Sequence, residues 1–322
     1  MSDRLEPAAK LAAITIDVDS LRHYRAIHGL PEETLDDDPI YTIAMPRFWS
    51  LIEEARVPAT LFLIGADAPE HAEVFAPVLA TGSEVANHSW SHDYRLITLG
   101  DAEIAADLAH GDRALVPLNG GRPIAGFRAP GYNVSASLIH AALALGYTYD
   151  SSLLPSPAYF AARAAAISAH AAAGRRSRSL RGNPRQFLGP LDPYHADPDR
   201  PWRALAASPL VELPIACDPI ARLPLIGTSW ALAPRLVQRA MLAAARKLSC
   251  INFEMHAIDL LDAGDHPALA PLARVQRDLR VPAEKKLGSF SRLFRALADS
   301  AEVLTLSAIA SCFTRLPERA RS

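Results

Sequence analysis

Leu11-Ala12-Ala13-Ile14-Thr15-Ile16-Asp17-Val18-Asp19-Ser20 is a short apolar run that ends on two acids. Ile and Thr branch at Cβ and favour extended chain, and polar residues bound the run, so Leu11 to Val18 reads as a buried strand with Asp17 to Asp19 at its C-terminal end. In an extended strand, i and i+2 share a face, while at a strand end the second residue can turn toward a neighbouring loop. Two readings are open. One carboxylate can hold a cation while the other takes a proton from its water, or Asp19 caps the following helix and Asp17 is a solvated loop residue.

Working outward, Ile43 to Ala55 has helical periodicity, and Pro58 to Gly65 is a second strand closed by glycine. Ala68 to Thr81 is expected as a helix, Ser83 to Ala86 as a strand, Asp101 to Leu115 as a helix and Ile124 to Arg128 as a strand. Ser135 to Leu145 follows as a helix ended by Gly146, then Tyr147 to Tyr149 as a strand. Such alternation with short links predicts an α/β chain with a parallel sheet or barrel. The rhythm breaks between about residues 155 and 209, where an Ala-rich stretch meets Arg175, Arg176, Arg178, Arg181 and Arg185 and then a Pro-rich run with Tyr194, His195 and Trp202. It resumes with strands at Leu210 to Ile215, Cys250 to Met255 and Val303 to Leu306, and helices at Pro234 to Lys247 and Glu284 to Ser300. One barrel-like domain over residues 1–322, with an insertion at about 155–209, fits better than two domains.

Composition narrows the classes. Half of the 322 residues are hydrophobic, 21% are charged and the net charge is −2, so a core is affordable and no broad basic field invites nucleic acid. Cys217, Cys250 and Cys312 form no CxxC pair, which argues against a zinc knuckle or a disulfide framework. The N-terminus has no apolar signal region, and no stretch approaches the ~18 apolar residues of a spanning helix. A cytoplasmic protein is expected.

The polar residues Asp17, Asp19, His88, His92, Arg128, Asp150 and His256 fall at expected strand C-termini or just beyond. In a parallel barrel those ends share one rim, where sites are assembled from separate loops. In Asn87-His88-Ser89-Trp90-Ser91-His92 the histidines stand at i and i+4, which on a helical turn would offer both imidazoles to one cation. An aspartate from the first strand supplies a third ligand, and two imidazoles with one carboxylate leave positions open for water, as a catalytic site requires. Arg128 stands opposite an acid and is expected to pair with it.

In motif order the chain resembles the polysaccharide deacetylases with a NodB homology domain, carbohydrate esterase family 4. The first motif resembles Thr15-Ile16-Asp17-Val18-Asp19-Ser20, the second His88-Ser89-Trp90-Ser91-His92 and the third Arg128-Ala129-Pro130-Gly131-Tyr132. The fourth is similar to Tyr149-Asp150-Ser151-Ser152 and the fifth to Phe253-Glu254-Met255-His256. The resemblance implies a distorted (β/α)7-type barrel and metal-dependent hydrolysis of an N-acyl group, usually acetyl on an amino sugar. It also implies roles: Asp17 as general base, His256 as general acid, and Asp19, His88 and His92 as ligands of one divalent ion, expected to be zinc. Arg128 would orient Asp17, the Gly131 N–H would help hold the oxyanion, and Asp150 would tune His256.

Three departures bear on the substrate. The usual adjacent aspartates are split by Val18, a form associated with a branch that includes lipid-linked-sugar deformylases and exopolysaccharide deacetylases. Leu153-Leu154-Pro155 stands where a tryptophan is often found, and Glu254 replaces an apolar residue two positions before the histidine, with no role assigned to it. The expected substrate is an acylated amino sugar, lipid- or diphosphate-linked in one reading, since the insertion's arginines could clamp phosphate. Deformylation, hydrolysis of a non-sugar amide and glycan binding without turnover are the alternatives. Tyr194, His195, Trp202 and Trp230 could line the groove, and are as easily explained by loop packing. Lys285 to Leu297 interleaves basic and apolar residues, so it either lies on a membrane surface or packs on the barrel. Oligomeric state is left open.

Overall fold

The computed structural model describes residues 10–31, 33–172, 174 and 177–314. Strand β1 (Leu11–Val18) lies at the centre, paired in parallel with β2 (Thr60–Leu63) on one edge and β9 (Cys250–His256) on the other. From β2 the parallel sheet continues through β3 (Glu84–Asn87), β4 (Gly126–Phe127), β5 (Tyr149–Asp150) and β8 (Val211–Glu212). Beyond β8 the chain curls back toward β9, and the Ala216 N–H bonds to the Asn252 carbonyl at 2.9 Å. The result is the distorted (β/α) barrel that the motif order implies.

Side-chain alternation explains why β1 carries its acids. Ala12, Ile14, Ile16 and Val18 pack outward against a helical layer that includes Phe48 and Ile52 of a helix at Met45–Ala55 and Phe290, Phe294 and Leu297 of a helix at Ala283–Ala298. Leu11 and Ala13 point the other way, into a smaller inner cluster with Phe62, Ala86 and Tyr149. A C-terminal helix, Leu306–Thr314, which periodicity did not mark, closes the bottom of this interior with Leu306, Ile309 and Ala310. Period-two geometry then carries the inner face upward through Thr15 to Asp17 and Asp19 at the mouth.

Several expected elements differ in detail. Ala68 to Thr81 is a 3₁₀ stretch (Ala68–Phe75) followed by a single helical turn (Pro77–Ala80), because Pro69 and Pro77 lack the N–H groups that a continuous helix needs. Residues 155–209 are more ordered than the break in rhythm suggested: a helix at Pro157–Ala172 is followed by an antiparallel hairpin of β6 (Tyr194–Asp197) and β7 (Arg200–Ala204), and β6 adds to the edge of β8. Arg175 and Arg176 lie outside the described residues. The Lys285 to Leu297 pattern belongs to a barrel helix, with Phe290, Leu293, Phe294 and Leu297 fully buried. Among the described residues, no helix is long and apolar enough to cross a membrane.

Candidate active site

Strand register assembles the site. Val18, Leu63, Asn87, Phe127 and Asp150 are paired in sequence across β1 to β5. One residue further along the same strands come Asp19, His88, Arg128 and Ser151, on the inner face. Across the other edge of β1, Asp17 is paired with His256. Residues far apart in sequence thereby meet at one rim, as the motif order predicts.

Arg128 is fully buried. Its Nη1 donates to Asp17 Oδ1 at 2.6 Å, Nε to the Ser151 carbonyl at 3.0 Å, and Nη2 to Thr15 Oγ1 and Ser151 Oγ at 3.0 and 2.9 Å. The guanidinium also lies 4.0 Å from the centre of the Phe62 ring. Burial pushes the Asp17 carboxyl up, but Arg128, with His88 and His256 behind it, more than offsets this and holds it below the usual carboxylate range.

Asp19 has no such partner. Both its oxygens are buried without a hydrogen bond, as are both ring nitrogens of His92. His88 Nε2 and His92 Nε2 stand 3.5 and 3.3 Å from Asp19 Oδ1. Burial lowers the His88 pKa to about 4 and takes His92 well below its ordinary value, so both rings are neutral and these contacts are not ion pairs. Burial also raises Asp19 to about 8, with His256 opposing the rise and Asp17 adding to it. His88 Nδ1 faces the Arg128 carbonyl at 2.7 Å. A carbonyl only accepts, so Nδ1 carries the proton and Nε2 keeps a free lone pair. Asp19, His88 and His92 offer three ligand atoms within 4.8 Å of one another. Buried acceptors without donors, around a space that small, fit a divalent cation.

The histidine pair is not held by a helical turn. β3 ends at Asn87, and the following loop places Ser89 and His92 at φ 69° and 50°. Ser89 Oγ accepts the His92 N–H at 2.8 Å, and Asp107 accepts the Trp90 and Ser91 N–H groups, so side-chain hydrogen bonds supply what helical ones would have. His23 packs edge-on against His92 with ring centres 4.5 Å apart.

The expected partnership of Asp150 with His256 is not formed. Asp150 shares the rung of Val18 and Phe127, whose side chains face the helices, so it lies on the wrong side of the sheet. There it accepts from Ser152 Oγ at 2.6 Å and sits against Glu212. The carboxylate beside His256 is Glu254, with Oε1 2.8 Å from Nδ1. Burial alone would lower the His256 pKa, but Glu254, helped by Asp17 and Asp19, keeps it well above the ordinary value. Period-two alternation was the signal: Glu254 precedes His256 by two and shares its inner face. Asp259 accepts the His256 backbone N–H at 2.9 Å.

Gly131 has φ 60°, and a Cβ there would come within 2.5 Å of the Tyr94 ring. Its carbonyl accepts from Arg163 Nη1 of the inserted helix at 2.7 Å. Of the two readings of the aromatic residues, groove and packing, their contacts fit packing. Tyr194 hydrogen-bonds the Pro201 carbonyl, Trp202 packs in that hairpin, and buried Trp230 donates to the Ser289 carbonyl. His195 is tied to the Ser208 carbonyl.

Fold and site together define a distorted (β/α) barrel with a carboxylate and imidazole centre at its mouth. Residues 33–149 match the polysaccharide deacetylase family. Over that stretch the chain is similar to the NodB-type polysaccharide deacetylases of carbohydrate esterase family 4. A chitooligosaccharide deacetylase from Sinorhizobium fredii (strain NBRC 101917 / NGR234) is 34% identical over 84 residues, which cover 26% of this chain and only 37% of that relative's length. In fold the chain is similar to the crystal structure of a candidate polysaccharide deacetylase from Mycobacterium smegmatis, with TM-score 0.58 and 18% identity over 98% of this chain and 95% of that one.

Proposed function

We propose that the protein removes an N-acyl group, acetyl in the first instance, from an amino sugar in a metal-dependent hydrolysis. The observation that carries this reading is the contrast between two buried acids at the end of one strand. Asp17 is tied to a guanidinium, while Asp19 stands with His88 and His92 without a hydrogen-bond donor.

Asp19, His88 and His92 would hold the cation. A divalent ion there would polarise the acyl carbonyl and acidify water at the site. Zinc suits a ligand set of two imidazoles and one carboxylate. Asp17, kept anionic by Arg128, takes the proton of the attacking water as its oxygen bonds to the acyl carbon. His256, kept protonated by Glu254, gives its proton to the amine nitrogen as the C–N bond breaks. The two groups face one space, since His256 Nε2 is 3.9 Å from Asp17 Oδ2. His256 is the more exposed of the pair, with its side chain 24% accessible, which suits a group that meets the leaving amine. The Gly131 N–H would help hold the developing oxyanion.

A cavity of about 300 Å³ adjoins His92 and is lined by Arg22, His23, Tyr94 and Arg178 among others. Asp93 also lines it and Arg22 is paired with Asp67, but the two guanidinium groups, Arg22 and Arg178, would suit a substrate with a phosphate or diphosphate near the acylated sugar. Zinc-loaded protein should release acetate from N-acetylglucosamine oligomers, UDP-N-acetylglucosamine or polyprenyl-diphosphate N-acetylglucosamine, with formate release scored on the N-formyl analogues. Asp17→Asn and His92→Ala should each abolish release. Undiminished activity in both variants would overturn the mechanism, and release from non-sugar amides alone would overturn the substrate class.

A further inference from the structure

We propose that the exposed face of residues 219–247 docks on an anionic lipid surface. The stretch exposes large apolar side chains in number: Ile220 (80%), Leu236 (77%), Leu223 (51%), Val237 (46%) and Leu232 (45%). Leu236 and Val237 belong to a helix at Arg235–Ala245 whose buried residues are Gln238 and Ala245, with the Gln238 amide spent on the Trp230 carbonyl. The side of this helix that faces the barrel carries Gln238, Met241, Leu242 and Ala245, so Leu236 and Val237 are apolar residues in excess of what the core takes up and stand in water. The helix at Ala283–Ala298 has a similar basic and apolar composition, yet buries its phenylalanines and leucines in the barrel.

Charge identifies the occupant. From Pro219 to Phe253 the sequence contains no Asp or Glu, but it carries Arg222, Arg235, Arg239, Arg246 and Lys247. Arg292 of the neighbouring helix lies within the field of Arg235. Asp218, which precedes the stretch, is spent within its own turn, where it accepts the N–H groups of Ile220, Ala221 and Leu223, and Asp192 is spent on Ser249. A second copy of this face would meet it with like charge, which opposes symmetric pairing. An anionic bilayer answers both properties, since it draws cations to its headgroups and takes apolar side chains into the boundary beneath.

The face also borders the site. Residues 217–226 follow the strand segment that reaches β9 through Ala216, and Thr228 Oγ1 donates to the same Asp259 that accepts the His256 N–H. Docking would therefore hold the mouth beside the lipid surface. Binding to lipid needs no turnover, so this inference and the proposed reaction can fail separately.

The test is co-sedimentation of the full chain with phosphatidylcholine vesicles, with and without phosphatidylglycerol. Wild type should sediment with the anionic vesicles and be released by salt. Arg235→Gln/Arg239→Gln should lower the partition about 25-fold, at about five-fold per arginine near the surface. Leu236→Asp/Val237→Asp should abolish it. Both variants should keep wild-type unfolding midpoints and acyl release from soluble substrate. Failure of wild type to bind anionic vesicles, undiminished binding in both variants, or a dimer that Leu236→Asp dissociates without any vesicle binding would each overturn the proposal.

Discussion

Replacing Arg128 with methionine tests the reasoning that divides the two acids. Methionine fills much of the same volume against Phe62 but removes four hydrogen bonds, one of them to Asp17. Breaking one side of a buried ion pair leaves the other charge uncompensated, at a cost of about 3–5 kcal/mol. Asp17→Asn/Arg128→Met should therefore lose less than the sum of the single changes, with a coupling of about 2 kcal/mol. The sign with pH follows from linkage. The folded pKa of Asp17 lies below the model-compound value of 3.8, so its stabilisation is present above that value and is lost as pH falls through the folded pKa. Without the guanidinium, burial raises Asp17 above 3.8, and the variant gains stability as pH falls toward that value. The deficit relative to wild type should thus be largest near neutrality and narrow with acid. Urea unfolding at a series of pH values measures it as a shift in midpoint at constant slope. A deficit below about 1 kcal/mol, one that does not change with pH, or strict additivity of the two substitutions would refute the argument.

Glu254→Gln should move the alkaline limb of the kcat profile to lower pH, because it removes the charge that raises His256. Asp150→Asn, on the other face of the sheet, should leave that limb in place. His88→Ala and His92→Ala should each retain the fold but bind less than one equivalent of zinc by elemental analysis, and prolonged chelation of wild type should abolish acyl release. Gly126→Ala would put a Cβ within 2.3 Å of the Tyr149 ring, so it should lower stability by about 1–3 kcal/mol in thermal unfolding, with the metal stoichiometry unchanged.

What was legible in the sequence is what strand periodicity and motif order encode. The apolar run into Asp17 marked the central strand, and Asp19, His88, His92, Arg128 and His256 do converge on one rim. Asp150 was misjudged because motif order carries no information about which face of a strand a residue occupies; the parity of β5 puts it among the helices. The same parity, applied to β9, would have found Glu254. The loop that joins His88 to His92 was not legible, since a spacing of four is satisfied equally by a helical turn and by a loop with two residues at positive φ. The partners of Arg128 were likewise hidden, because Thr15 and Ser151 are unremarkable until register stacks them inside the barrel. The helix that closes the bottom, Leu306–Thr314, followed a strand only two residues long, too short to announce a further element.

Asp17 and Asp19, at the end of β1 and one residue beyond it, share an inner face and near-complete burial, yet their carboxyls are displaced in opposite directions. Burial cannot be the cause, because it raises both. The difference is that β4 delivers a guanidinium to Asp17, while β3 and its loop deliver two neutral imidazoles to Asp19. A carboxylate that already has a buried cation gains little from a second, whereas one facing only lone pairs is the member of the pair that a metal would most stabilise. Alternation around Val18 brings both acids to the inner face, so the division between them is made by what the neighbouring strands deliver to each and not by the direction in which each leaves β1.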